Sequence, residues 1–131
     1  MAFNRALFSS FSPHWATPAE LYKELDAEFG FDFDPCPLKG KVDGLTCKWG
    51  KRNFVNPPYG PEIAKWLTRA IFQRERERVL SVFLLPARTD TKWFHELVLP
   101  HAANIRFIRG RLKFGGSKNS APFPSMVVVF R

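Results

Sequence analysis

The sequence has little cysteine, little histidine, few acids and no long hydrophobic run, and each shortage removes a class of protein. Cys36 and Cys47 are the only cysteines in 131 residues. Two thiols suit a reducing compartment better than one isolated bridge. Their eleven-residue spacing, with no matching His pair, is not a zinc pattern. His14, His95 and His101 are scattered along the chain and form no metal set. The longest apolar runs, such as Val79–Leu85, are far too short to span a bilayer. Met1–Phe11 carries one Arg and no sustained apolar stretch, so no export signal is read there and the expected location is the cytoplasm.

Twelve Asp and Glu face twenty Lys and Arg, a net charge of +8. The excess is confined to one half. Residues 1–60 hold seven of each sign, whereas residues 61–131 hold thirteen basic and five acidic residues, and 13 − 5 = +8. A neutral half joined to a basic half suits a neutral or zwitterionic ligand on one part and a polyanion on the other. The plainer alternative is a basic face that serves solubility. With 45% hydrophobic and 24% charged residues, the chain reads as one globular domain over residues 1–131.

Residues 1–13 read as a loose arm. Thr17, Pro18 and Glu20 then form a Thr-x-x-Glu capping box with Pro at the first helical position. Leu21, Leu25 and Phe29 continue as a helical stripe that Gly30 ends. Phe31 and Phe33 alternate with Asp32 and Asp34 in a strand stopped by Pro35. A Lys/Gly-rich loop over 37–52 leads to a short strand at Asn53–Asn56. Pro61 opens a second helix with Ile63, Trp66, Leu67, Ala70 and Ile71 on one face and a solvated tail over Gln73–Arg78. The continuous apolar run 79–86 is expected to be a strand buried on both faces. A short helix from about Thr91 follows. Residues 104–116 read as strand, Gly-Arg turn and strand, 117–124 as a flexible loop, and 124–130 as a terminal strand. The order predicts an α/β fold, a mostly parallel sheet with antiparallel C-terminal strands.

The sharpest local feature is Asn56-Pro57-Pro58-Tyr59, followed by Gly60. Consecutive prolines cannot continue a strand and fix φ, so Asn56 and Tyr59 are presented in one geometry. Open α/β sheets bind ligands beyond the carboxyl ends of their strands. The Asn56 side-chain oxygen and the Pro57 carbonyl are two acceptors suited to the two protons of an NH₂ group. Tyr59 offers a face for stacking, and Gly60 allows close approach. Adenine, cytosine and a glutamine amide all meet this description. Accepting both amine protons aims the nitrogen lone pair at an electrophile without a strong base.

Five segments together resemble the small phage-type (Dam-like) DNA adenine-N6 methyltransferases: W-x-TP (Trp15, Thr17, Pro18), EFGFDFDPC (28–36), NFVNPPYG (53–60), LLPARTDTKWFH (84–95), and IRGRLKF (108–114) with the terminal apolar strand. They are spread in family order along residues 14–131. NPPY is the signature of amino-methyltransferases that use S-adenosylmethionine. The resemblance implies a reduced Rossmann-like methyltransferase fold and S-adenosylmethionine as cofactor. It implies a catalytic set of Asn56, Pro57, Pro58 and Tyr59. It places Trp15, Thr17, Pro18, Asp34, Pro35 and Cys36 along the cofactor, with Asp34 at a strand tip suited to ribose hydroxyls or an α-ammonium group. The larger methyltransferases carry a Phe/Pro-x-Gly-x-Gly loop after that strand. Here PCPLKGKVDG follows Asp34, with Gly40 and Gly44 only, so the usual backbone cradle is shortened or rebuilt.

Adenine in duplex DNA must be extruded before its amine is reached, and Tyr59 would replace the lost stacking. The expected phosphate contacts are Arg88, Lys92, Arg111 and Lys113, with Arg109 nearby. Arg74, Arg76 and Arg78 alternate with Glu75 and Glu77 and read as a solvated helix tail. Trp93 and Phe94 read as packing residues. The expected partner is double-stranded DNA, in a host-cell cytoplasm if the chain is phage-encoded. With no separate recognition domain, either modest specificity or a homodimer follows. Two further readings stay open: an NPPY enzyme acting on RNA adenine or protein glutamine, and a non-catalytic nucleic-acid binder on a reduced methyltransferase fold.

Overall fold

The computed structural model describes residues 15–38, 42–115 and 118–131. The arm expected over 1–13, and Gly40, lie outside the described residues.

Helix α1 is Ala19–Phe29. Leu25 and Phe29 are buried and Leu21 half-buried, which realises the four-residue stripe. Gly30 ends the helix at φ 64°, and its N–H bonds the Asp26 carbonyl at 2.8 Å. The start differs from the capping-box expectation. Pro18 is the N-cap, and no side chain caps the helix. The Thr17 hydroxyl is committed elsewhere, although such a cap is commonly worth about 0.5–2 kcal/mol.

Strand β1 is Arg52–Val55, helix α2 Ile63–Glu77 and strand β2 Leu80–Pro86. A π-helical turn, Phe94–Val98, runs into the short helix α3, Leu99–His101. Strands β3, Asn104–Phe107, and β4, Ser125–Phe130, complete the sheet. The strand expected at Phe31–Asp34 is reduced to one parallel bridge between Phe33 and Asn53. The Arg52 N–H bonds the Asp32 carboxylate at 3.0 Å in place of a ladder carbonyl, and Pro35 allows no extension.

The sheet order is β1-β2-β4-β3. Only β1 and β2 pair in parallel; β2–β4 and β4–β3 are antiparallel, so the mostly parallel sheet is corrected to a mixed one. The cause is β4, the terminal strand, which inserts between β2 and β3. All six of its residues are buried, and a central position covers both faces of such a strand. The second strand of the expected hairpin does not form. Leu112 and Phe114 do turn inward between exposed Arg111 and Lys113. The segment's backbone instead serves loops, with Ala121 N–H donating to Leu112 C=O at 2.7 Å and Gly115 N–H to Ala16 C=O at 2.8 Å. The loop read as flexible contributes buried Ala121 and Phe123 to the core.

Alternation divides the core. Val55, Phe83, Leu85, Met126 and Val128 face α2 through Ile63, Trp66, Leu67 and Ala70. Phe54, Val82, Leu84, Val127 and Val129 face α1 and the loop residues Phe114 and Phe123. The α2 tail is not uniformly solvated: buried Gln73 accepts the Trp49 backbone N–H at 3.2 Å. No helix among the described residues is long and apolar enough to cross a membrane.

One consequence of this topology positions the site. β1, β2 and β3 all run in the same direction, because β2 and β3 are both antiparallel to β4. The parallel bridge at Phe33 adds a fourth segment in that direction. The chain therefore leaves Asp34, Asn56, Arg88 and residues 108–113 at one edge of the sheet.

Candidate active site

Two asparagines three positions apart, Asn53 and Asn56, have opposite fates. Asn53 is fully buried, and its amide is saturated: Nδ2 donates to the Gly50 and Leu80 carbonyls at 2.9 and 3.0 Å, and Oδ1 accepts the Gly50 N–H at 2.9 Å. It ties the loop before β1 to β2. Asn56, just past β1, spends both amide protons on the segment before α1. Nδ2 donates to the Trp15 carbonyl and, at 2.9 Å, to Thr17 Oγ1. Its Oδ1 is buried and has no hydrogen-bond partner. A buried acceptor left unsatisfied costs about 1–3 kcal/mol, so the arrangement is maintained against a folding penalty. The amide's orientation follows from chemistry, since a backbone carbonyl only accepts and must meet the nitrogen.

Pro57 and Pro58 are buried behind Asn56, and no described donor bonds the Pro57 carbonyl. Tyr59 is held by its hydroxyl, which donates to the Leu84 carbonyl at 3.2 Å. Its ring meets Phe114 and Phe123 at steep angles of 85° and 68°. Burial pushes the Tyr59 phenol far up, which removes it as a proton acceptor and leaves the ring as its working part. Gly60 adopts φ 116°, a conformation that favours glycine.

Two cavities meet at this segment. The smaller, about 450 Å³, is lined by Trp15, Thr17, Tyr22, Asp34, Cys36 and Asn56, among others. The larger, about 630 Å³, is lined by Trp15, Tyr59, Gly60, Arg88, Trp93 and Phe123, among others. Trp15 stands in the wall of both, its ring packed 5.3 Å from those of Phe114 and Phe123. A family model described as DNA N-6-adenine-methyltransferase (Dam) matches residues 7–131.

The chain belongs to the Dam family. No curated protein and no solved structure matches it. In this Dam-family chain the acidic member of the smaller cavity is Asp34. Its Oδ1 accepts the Cys36 N–H at 2.9 Å. Burial raises its carboxyl above the ordinary value, against a smaller opposing pull from that N–H. Burial also pushes the Cys36 thiol up to about 11, with the Asp34 and Glu62 charges adding, so it is no nucleophile at neutral pH. The Tyr22 phenol is raised by burial first and then by Asp26 and Asp34. Cys36 and Cys47 are both free thiols.

Of the residues named from sequence for a cofactor, Trp15, Thr17, Asp34 and Cys36 share the smaller cavity, while Pro18 and Pro35 do not line it. Pro18 caps α1, and the buried Pro35 turns its carbonyl toward Gly44. Gly44 serves close packing there and does not line the cavity. Of the basic residues, Arg88 lines the larger cavity; Lys92, Arg109, Arg111 and Lys113 are exposed and line neither. Phe94 is buried as expected, but Trp93 faces the larger cavity. Tyr22 and Phe54, both on the smaller cavity, were not singled out from sequence. Their only signal was aromatic character at positions that also suit a core.

Proposed function

We propose that this chain transfers a methyl group from S-adenosylmethionine to the N6 amine of an adenine extruded from double-stranded DNA. The observation that carries the reading is the buried, unpartnered Asn56 Oδ1, fixed as a pure acceptor by its own two N–H bonds. An amine donating to Asn56 Oδ1 and to the Pro57 carbonyl would satisfy both. Tyr59, with its hydroxyl tied down, presents its ring to a planar base, and Trp93 and Arg88 complete the larger cavity around it.

The smaller cavity fits the methyl donor by the chemistry of its walls. The Asp34 carboxylate suits ribose hydroxyls or an ammonium group, and Trp15, Tyr22 and Phe54 suit a planar base and a cationic sulfur. When bound, S-adenosylmethionine supplies a methyl that the amine displaces from sulfur, the electron pair passing to sulfur and one proton leaving the nitrogen. Asn56 and Pro57 orient the amine and draw on its protons, so no strong base is needed. The frame is then a reduced Rossmann-like fold, with both cavities beyond the carboxyl ends of co-directed strands.

The deciding experiment mixes the purified protein, S-adenosylmethionine labelled on the methyl, and unmethylated duplex DNA, then separates the nucleosides. Label in N6-methyladenine is the expected result. Label absent from DNA but present in RNA adenine or protein glutamine would replace the substrate. Absence of both label and cofactor binding would overturn the enzyme reading in favour of a nucleic-acid binder.

A further inference from the structure

Thr17 is placed by sequence as one more residue along the cofactor, or as the cap of α1. It performs no capping: Pro18 is the N-cap, and the helix start has no side-chain bond. The Thr17 hydroxyl instead accepts an amide proton of Asn56 at 2.9 Å, while the Trp15 carbonyl takes the other. These bonds join positions 39 and 41 residues apart in the chain. They have a definite chemical result. An Asn side chain has one acceptor end and one donor end, and rotation by half a turn about its last bond exchanges them. Presented the wrong way, Asn56 would oppose two N–H groups to the N–H groups of a substrate amine. With both of its protons consumed, only Oδ1 remains free to accept, and that atom is the buried one without a partner.

We propose that Thr17 is a positioning residue for methyl transfer: with the Trp15 carbonyl, its hydroxyl locks the Asn56 amide so that oxygen, never nitrogen, meets the substrate amine. This inference rests on the reading of Asn56 as the amine acceptor. It also couples the two cavities. The Trp15–Thr17 segment lines the smaller cavity beside Asn56, and Trp15 also stands in the wall of the larger one, so a single backbone strap touches both. The strap is itself held from the other side by the Gly115 N–H on the Ala16 carbonyl at 2.8 Å.

The test compares Thr17→Val, which keeps the shape and removes the hydroxyl, with Thr17→Ser, which keeps the hydroxyl. Kinetics at saturating DNA and S-adenosylmethionine are set beside calorimetric binding of S-adenosylmethionine. Thr17→Val is expected to lower kcat by about 10- to 100-fold, the scale of a misaligned reacting group. Cofactor affinity should move far less, and Thr17→Ser should recover most of the rate. A second readout is independent of turnover: the side-chain amide protons of Asn56 in ¹⁵N-labelled protein, identified by their loss in Asn56→Ala. They should be protected from exchange in the parent and in Thr17→Ser, and exposed in Thr17→Val. Unchanged kcat in Thr17→Val, equal losses in Val and Ser, or unchanged amide protection would each overturn the proposal. Turnover surviving in Asn56→Ala would instead remove the acceptor reading beneath it, which the exchange data alone could not do.

Discussion

Asn53 and Asn56 have the same side chain, three positions apart, and what separates their roles is whether each polar atom has a partner. Asn53 has none to spare and holds structure, whereas Asn56 keeps one acceptor open. Asn56→Ala is therefore expected to reduce turnover by at least about 100-fold, the scale for removing one preorganised polar group, with DNA binding largely retained. Single-turnover methylation beside a DNA-binding titration checks both halves. Asp34, like the open acceptor of Asn56, is held at a cost to stability. Its carboxyl is raised by burial, so the folded chain binds that proton more tightly than the unfolded chain does. Stability from this group is greatest below the ordinary carboxylate range, falls as pH rises through the folded value, and stays lowered above it. Asp34→Asn should thus raise Tm at pH 7, leave it nearly unchanged near pH 3, and weaken S-adenosylmethionine binding. Thermal melts at the two pH values with a binding titration decide it.

At the scale of elements, the site hangs on loops whose packing replaces regular structure. Gly44 lies so close under the Asp34–Cys36 turn that a Cβ there would stand 2.0 Å from the Pro35 carbonyl oxygen and 2.6 Å from the Trp66 ring. Backbone cannot yield as a flexible side chain can. Gly44→Ala should cost about 1–3 kcal/mol or more, the range for overpacking, and should weaken cofactor binding by displacing Asp34. Denaturant unfolding gives the first quantity and calorimetry the second; a variant as stable as its parent would refute the packing account. The segment 111–115 makes the same point differently. Its alternation correctly marked which side chains turn inward, but alternation reports burial and not which backbone groups pair, and β3 found the longer, fully buried β4 as its partner.

Across the whole molecule, the shared direction of β1, β2 and β3 gathers the Asp34 turn, Asn56, Arg88 and the Arg109–Lys113 segment at one edge. Arg88 lines the larger cavity, and Lys92, Arg111 and Lys113 stand exposed. Changing Arg88, Arg111 or Lys113 to Ala should weaken DNA binding about equally for all sequences and reduce the slope of log K against log salt by about 1 each. Titrations at several salt concentrations measure that slope. A slope unchanged in all three variants would place the DNA on another face.

The sequence alone determined the two helices, the buried β2 run, the terminal strand and the Asn-Pro-Pro-Tyr corner, because periodicity, proline and glycine act locally along the chain. It also located Asp34 and the half that carries the charge, although the strand expected to end at Asp34 is reduced to a single bridge. The insertion of β4 between β2 and β3 was a tertiary decision, since pairing depends on which strand can bury both faces and not on chain order. So was the diversion of the Thr17 hydroxyl from a helix cap to Asn56. A local pattern cannot foresee that competition, because the winning partner lies 39 residues away and is brought near only when the sheet and α1 pack together.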